Sequence, residues 1–114
     1  MSKAASILDA KVTYLDSRTG GNAVKLGLDT TRALLKAAGV DPQRLPCLHV
    51  AGTNGKGSVS AMLESVLRAA GLRTALYTSP HLIRFNERIR VLGQPIPDED
   101  LLRLLDEVER ADQL

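Results

Sequence analysis

The sequence contains little of several residue types, and each shortage excludes a class of protein. One cysteine in 114 residues leaves no partner for an internal disulfide, which favours a reducing compartment, and we expect the cytoplasm. No stretch approaches the ~18 uncharged apolar residues of a membrane span, and the charged amino terminus lacks an apolar signal-peptide core. The net charge of +2 is too small to indicate a nucleic-acid partner. We therefore expect neither a membrane nor a nucleic-acid partner.

Large aromatic side chains are also scarce, which limits the hydrophobic core. Tryptophan is absent, and Tyr14, Tyr77 and Phe85 are the only tyrosine and phenylalanine residues. Hydrophobic residues still make up 44% of the chain, enough for a modest core. The length is that of one domain or of part of a larger one, and no internal repeat is present.

Two helices are predicted before residue 47. Apolar residues at positions 8, 12 and 15 predict the first over 4–16, and the glycines and asparagine that follow predict a loop over 17–22. A second helix is predicted over 29–38, with Asp29 as its amino-terminal cap and Gly39 after its end. We expect these elements to form a helical segment over 1–46.

From Cys47 onward the pattern alternates between strand and helix. An apolar run over 47–51 predicts a buried strand, and a glycine-rich turn and a helix that ends at Gly71 follow it. The next predicted strand covers 73–78, so that strand, helix and strand form a βαβ unit in a parallel sheet. An extended run over 87–92 precedes a last helix, which Asp98 is expected to cap. The fold class predicted is α/β.

The most informative stretch is Gly52-Thr53-Asn54-Gly55-Lys56-Gly57-Ser58, between the first predicted strand and its helix. Glycines let backbone N–H groups approach an anion, and the helix directs further N–H groups to the same point. Lys56 can neutralise the terminal phosphates, and Thr53 or Ser58 adds a hydroxyl. These features predict a nucleoside-triphosphate loop.

The stretch departs from the general phosphate-loop pattern GxxxxGK[ST]. Val50 stands where the first glycine belongs, and the serine comes one place late because Gly57 follows Lys56. A glycine-rich turn with an exposed lysine is the alternative.

The segment His49-Val50-Ala51-Gly52-Thr53-Asn54-Gly55-Lys56-Gly57-Ser58 resembles the signature of folylpolyglutamate synthase and dihydrofolate synthase, which are Mur-ligase-like amide ligases. The late serine is normal in that family. Further resemblance lies in Lys25-Leu26-Gly27-Leu28, Tyr77-Thr78-Ser79-Pro80-His81-Leu82, Phe85, Glu87-Arg88-Ile89 and Gly93. Together these blocks span the chain from about Tyr14 to its end.

The resemblance implies a fold and a reaction. The fold is the N-terminal part of a P-loop-containing, parallel-sheet, Mur-ligase-like ATPase domain, with 47–114 as its first βαβ portion. The reaction uses ATP and Mg²⁺ to phosphorylate a dihydropteroate or folate carboxylate, and the amino group of L-glutamate attacks the acyl phosphate to form an amide. A monomer is expected for the full-length enzyme.

The resemblance also assigns residues. The 52–58 stretch would bind the ATP phosphates, with Lys56 as the catalytic residue, and Ser79 would be a magnesium ligand. The resemblance places the folate contacts at His81, Leu82, Arg84 and Phe85. For Phe85 core packing is an equal alternative, and the arginines at 84, 88 and 90 are either folate contacts or a solvated face.

Members of this family are several times longer than 114 residues, and the resemblance places further magnesium ligands and a C-terminal domain downstream. We therefore expect an N-terminal fragment that is inactive alone. The alternative is a phosphate-binding fragment or interaction module without turnover. Another P-loop enzyme, such as a kinase, is disfavoured because both the 77–82 and 87–91 segments fit the ligases.

Overall fold

The computed structural model describes residues 2–19 and 28–113 and contains four helices and three short strands in that part of the chain. The helices are α1 (Lys3–Thr19), α2 (Asp29–Ala37), α3 (Lys56–Ala69) and α4 (Asp98–Asp112), and the strands are β1 (Ala75–Tyr77), β2 (Ile89–Val91) and β3 (Gln94–Pro95). Single 3₁₀ turns cover Pro42–Arg44 and Phe85–Arg88. None of these helices is long and apolar enough to span a membrane. The chain divides into two compact units, Met1–Pro46 with Asp98–Leu114, and Cys47–Pro97.

The helical unit is built on α4, which packs against both α1 and α2. Leu8 and Leu101 are each only 1% exposed, and Ala5 and Ala111 lie buried with them. At its surface Lys11 of α1 pairs with Asp106 and Glu109 of α4. The core of this unit therefore depends on two leucines, one on each of two helices.

The helix predictions for this unit are confirmed, with corrections at helix ends. Asp98 was expected to cap the last helix but is its first helical residue. The first helix continues to Thr19, so the loop predicted from residue 17 does not begin there, and Gly20–Asn22 lie outside the described residues, as do Lys25–Gly27. The predicted cap at Asp29 is wrong, because Leu28 occupies the cap position and Asp29 is the first helical residue. A carboxylate in the first turn still favours the helix through its dipole.

The second unit contains an antiparallel sheet in the order β1-β2-β3, with Tyr77 opposite Ile89 and Val91 opposite Gln94. Leu92 and Gly93 join β2 to β3 with positive φ angles of 50° and 81°, as a two-residue hairpin of type I′ requires. All pairs of the described strands are antiparallel, and the parallel pair predicted between 47–51 and 73–78 does not form among them. The sequence pattern located two of the strands but did not reveal that consecutive strands would pair directly.

The buried strand predicted over 47–51 does not form among the described residues. This segment has no ladder partner, and Leu48 is 68% exposed. A strand needs neighbours to satisfy its N–H and C=O groups, and none of the three described strands pairs with it. The apolar composition was therefore insufficient to specify a strand.

Helix α3 packs on β1, and the prediction that it ends at Gly71 is confirmed, since Ala70 and Gly71 follow as a turn. The buried side chain on this helix is Glu64, which accepts hydrogen bonds from Thr74 (2.7 Å) and Arg68 (3.0 Å). Glu64 therefore connects the helix to the segment that leads into β1.

Candidate phosphate-binding site

The 52–58 stretch forms a glycine-rich turn that leads into the first turn of α3. Gly55 occupies the cap position with φ of 76°, in the left-handed region that residues with a Cβ rarely adopt. Apart from the adjoining residues and the backbone of α3 itself, a Cβ added at Gly52, Gly55 or Gly57 would meet nothing within 4 Å. The backbone of this turn therefore borders open space, as a cradle for a ligand requires.

The amino end of α3 directs unpaired donors into this turn. The first intrahelical bond runs from the N–H of Val59 to the carbonyl of Gly55, at 3.0 Å. The N–H groups of Lys56, Gly57 and Ser58 precede it and have no acceptor within the helix, and glycine at the cap offers no side chain to accept from them. Such N–H groups, together with the positive end of the helix dipole, form an anion-binding arrangement.

Lys56 adds a full positive charge to these partial charges. Its ammonium group lies over the turn and donates to the carbonyl of Gly52, with Nζ 2.5 Å from the oxygen. Thr53, Asn54 and Ser58 are exposed on the same short stretch. The predicted loop residues are thus contiguous, exposed and positively polarised, and the arrangement suits an anion with several oxygens.

A second candidate region follows β1. Ser79 is exposed and precedes Pro80 in a cis peptide, and His81 comes next. The Nδ1 atom of His81 accepts from Nε of Arg88 at 2.8 Å, and its ring meets Phe85 edge-on at 5.8 Å between centroids. The Arg88 guanidinium lies 4.9 Å from the centre of the Phe85 ring. His81, Phe85 and Arg88 therefore form one cluster.

Leu82, Ile83 and Arg84 form the loop between His81 and Phe85, and Glu87 holds its backbone. The Glu87 carboxylate accepts from the N–H groups of Leu82 (3.2 Å), Ile83 (2.8 Å) and Arg84 (2.6 Å). These three bonds, that to Arg84 foremost, hold the pKa of Glu87 below its ordinary value. Glu87 belongs to the Glu87-Arg88-Ile89 block of the family resemblance, which implied no role for it. The sequence signal of this contact is weak: an acidic residue that follows the apolar pair Leu82-Ile83 by four positions.

The three arginines that the sequence suggested as an anion-binding group occupy different environments. Arg88 is engaged with His81 and Phe85, and Arg90 is half-buried on β2, where its charge contributes to lowering the pKa of Glu64. Arg84 is exposed in the loop. Arg84 thus fits a solvated loop, whereas Arg88 and Arg90 are partly buried, and contact of any of the three with folate stays a prediction.

The predicted metal ligand Ser79 stands without a cluster of acidic or imidazole ligands. Within residues 2–19 and 28–113, no three His, Cys, Asp or Glu side chains are grouped so that they could hold a metal ion. Its role toward magnesium stays a prediction.

Comparison with known proteins identifies the family. No family model matches the chain. A dihydrofolate synthase/folylpolyglutamate synthase of Escherichia coli is 38% identical over 109 residues, which are 96% of this chain and 26% of that protein. A Bacillus subtilis protein of the same name is 44% identical over 94 residues, covering 79% of this chain and 22% of its own length.

A solved structure extends the likeness to the fold. The structure of Escherichia coli FolC in complex with DHPP and ADP matches 98% of this chain and 27% of its own, with a TM-score of 0.84 and 38% identity. The chain belongs to the folylpolyglutamate synthase/dihydrofolate synthase family. The family resemblance seen in the 49–58 and 77–82 motifs and the α/β class are therefore confirmed. The chain spans about a quarter of the length of the family members it matches.

Proposed function

We propose that this chain is the nucleotide-binding N-terminal part of an ATP-dependent ligase that adds L-glutamate to dihydropteroate, to folates, or to both. The observation that carries the proposal is the open turn over 52–58 at the amino end of α3. The Escherichia coli protein, 38% identical, was solved in complex with ADP, which supports a nucleotide as the ligand here. ATP, when bound, supplies the phosphoryl group that activates a carboxylate for amide formation.

The residues of the turn would bind and orient the phosphates. The N–H groups of Lys56, Gly57 and Ser58 would donate to phosphate oxygens, which replace the missing intrahelical acceptors. Lys56 would move its ammonium group from the Gly52 carbonyl to the terminal phosphates and neutralise charge there. Lys56 is therefore the proposed catalytic residue of this part of the enzyme.

We further propose Ser79 as one ligand of the Mg²⁺ that accompanies the nucleotide. A hydroxyl oxygen is the kind of ligand that Mg²⁺ takes, and this ion commonly keeps several water and phosphate ligands beside one or two from protein. Ser79 is exposed at the carboxyl end of β1, so its hydroxyl is accessible to such an ion. The residue type and its exposure fit the role.

The folate contacts proposed are His81, Leu82, Arg84 and Phe85. Leu82 is 93% exposed, so its apolar side chain is available to a flat, partly apolar ligand. Phe85 is half-buried between His81 and Arg88, so both packing and a substrate contact are compatible with its place. Arg84 is exposed and could approach a carboxylate of the substrate.

We propose that 47–114 is the first part of the ATP-binding domain and that 1–46 leads into it, with the 52–58 turn in the compact unit Cys47–Pro97. The free, exposed thiol of Cys47 suits a reducing compartment, which supports the cytoplasm as its location. A monomeric full-length enzyme remains part of the proposal.

The test is Lys56→Ala in the protein encoded by the gene that contains this sequence. Formation of the amide from ATP, L-glutamate and dihydropteroate or folate should fall roughly 100-fold or more, because one electrostatic group of a transferring phosphate is removed. The free energy of unfolding without nucleotide should change by less than about 0.5 kcal/mol, as for other exposed positions.

Lys36→Ala is the matched control, since Lys36 is an exposed lysine on α2. Its rate should equal that of the wild type. A wild-type protein that makes no amide product would refute the ligase, whereas a Lys56→Ala variant with a near-normal rate would refute the role of the 52–58 turn alone.

A further inference from the structure

We propose that Glu87 is a positioning residue that fixes the Leu82–Arg84 loop in the conformation that meets the folate substrate. This inference rests on the proposed function and extends it to a residue outside the substrate contacts. Glu87 lies in the 3₁₀ turn Phe85–Arg88 and would act on the substrate only through the backbone of the loop. The role belongs to its carboxylate, which joins three consecutive peptide N–H groups.

The loop lacks the usual means of holding its shape. Leu82 is 93% exposed and Ile83 is 86% exposed, so neither side chain contributes appreciable burial. A loop of this kind fluctuates unless its backbone groups are bonded. The bonds to Glu87, from 2.6 to 3.2 Å, supply that restraint at three successive residues.

The hydrogen bonding between Arg84 and Glu87 is reciprocal. While the N–H of Arg84 donates to Glu87, the N–H of Glu87 donates to the carbonyl of Arg84 at 3.0 Å. The next residue, Arg88, holds His81 at the other end of the loop through a 2.8 Å bond. Two adjacent residues of one turn thus anchor both His81 and the exposed pair that follows it.

Holding the backbone of Leu82 and Ile83 in place would favour binding of the folate substrate. Two exposed aliphatic side chains on an ordered backbone lose less entropy on meeting a ligand than the same chains on a mobile loop. A carboxylate is well suited to restrain the loop backbone, because hydrogen bonds to an ionised carboxylate are stronger than those to a neutral acceptor. Loss of Glu87 is therefore expected to weaken substrate binding more than nucleotide binding.

The experiment compares Glu87→Ala and Glu87→Gln in the protein encoded by the gene that contains this sequence. In Glu87→Ala the KM for the folate substrate should rise about tenfold, the effect of losing hydrogen bonds to a charged group, while the KM for ATP stays within about twofold. Glu87→Gln keeps one acceptor oxygen, and its KM should lie between those of the wild type and the alanine variant. Glu107→Ala removes a glutamate bonded to Arg103 on α4 and should leave both KM values unchanged.

Amide hydrogen exchange gives a readout that does not need turnover. Exchange at Leu82, Ile83 and Arg84 should be slow in the wild type and fast in Glu87→Ala, with the amides of α3 unchanged in both. The positioning role would be refuted if the three loop amides exchanged at the same rate in Glu87→Ala as in the wild type. It would also be refuted if Glu87→Ala raised the KM for ATP as much as the KM for the folate substrate. A wild type that forms no amide product would instead refute the proposed function.

Discussion

Two glycines of the 52–58 turn have different backbone requirements. Gly55 needs glycine for its left-handed φ of 76°, whereas Gly57, inside the first turn of α3, has no such requirement. Both positions border open space. The two glycines therefore differ in what they contribute to folding, although both belong to the same short motif.

Gly55→Ala should lower the free energy of unfolding by about 1–2 kcal/mol, because a Cβ is strained in the left-handed region. Gly57→Ala should leave it unchanged or raise it by up to ~1 kcal/mol, since alanine favours a helix over glycine. Urea unfolding of the two variants without nucleotide measures the difference. Equal destabilisation by both would show that the conformation at Gly55 is not the cause.

At the scale of elements, a buried carboxylate joins α3 to the start of β1. The hydroxyl of Thr74 and then the guanidinium of Arg68 hold the pKa of Glu64 below its ordinary value of 4.5. The Glu64 carboxylate therefore takes up a proton at higher pH in the unfolded chain than in the folded chain. Its contribution to the free energy of unfolding is fully present above pH 4.5. It is lost as the pH falls through the lowered pKa.

Glu64→Gln should therefore be less stable than the wild type near pH 7, and the gap should narrow as the pH approaches ~3. Urea unfolding at several pH values between these limits gives the two curves. Glu99→Gln, at an exposed position of α4, serves as control and should follow the wild type throughout. A gap between Glu64→Gln and the wild type that does not change with pH would contradict the assigned cause.

For the molecule as a whole, the main feature is how apolar residues divide between core and surface. Four apolar residues of α3 lie largely on its surface: Val59, Met62, Leu63 and Val66 are 47%, 65%, 37% and 66% exposed. Residues three and four apart share a helix face, so these four form one continuous strip. Contiguous exposed apolar surface of this kind binds other apolar surfaces.

The 114-residue chain on its own should therefore bind the hydrophobic dye ANS, and Met62→Ser with Val66→Ser should remove most of the dye fluorescence. Helix content by circular dichroism confirms that the variant is folded. Val40→Ser with Leu45→Ser replaces two exposed apolar residues away from this helix and should have a smaller effect. Unchanged fluorescence in the first variant would mean that the strip is not the binding surface.

The sequence alone determined the helices and the place of the glycine-rich 52–58 turn. Helix periodicity and glycine stops are local properties, so α3 and the end of α2 were predictable from residues such as Gly39 and Gly71. The 52–58 turn was predictable because its glycines and lysine are consecutive. The 77–82 and 87–89 motifs carried the family resemblance in the same way.

Tertiary structure decided what depends on contacts between distant residues. The direction in which β1 pairs depends on which strand lies beside it, and so does the presence of a partner for 47–51. Apolar composition does not specify which strands become neighbours. The bond from Arg88 to His81 and those that Glu87 receives from the loop exist only once the 3₁₀ turn directs both side chains back over the loop. The local sequence pattern thus determines where helices form. Which strands pair, and which side chain accepts a given hydrogen bond, is determined only by the folded chain.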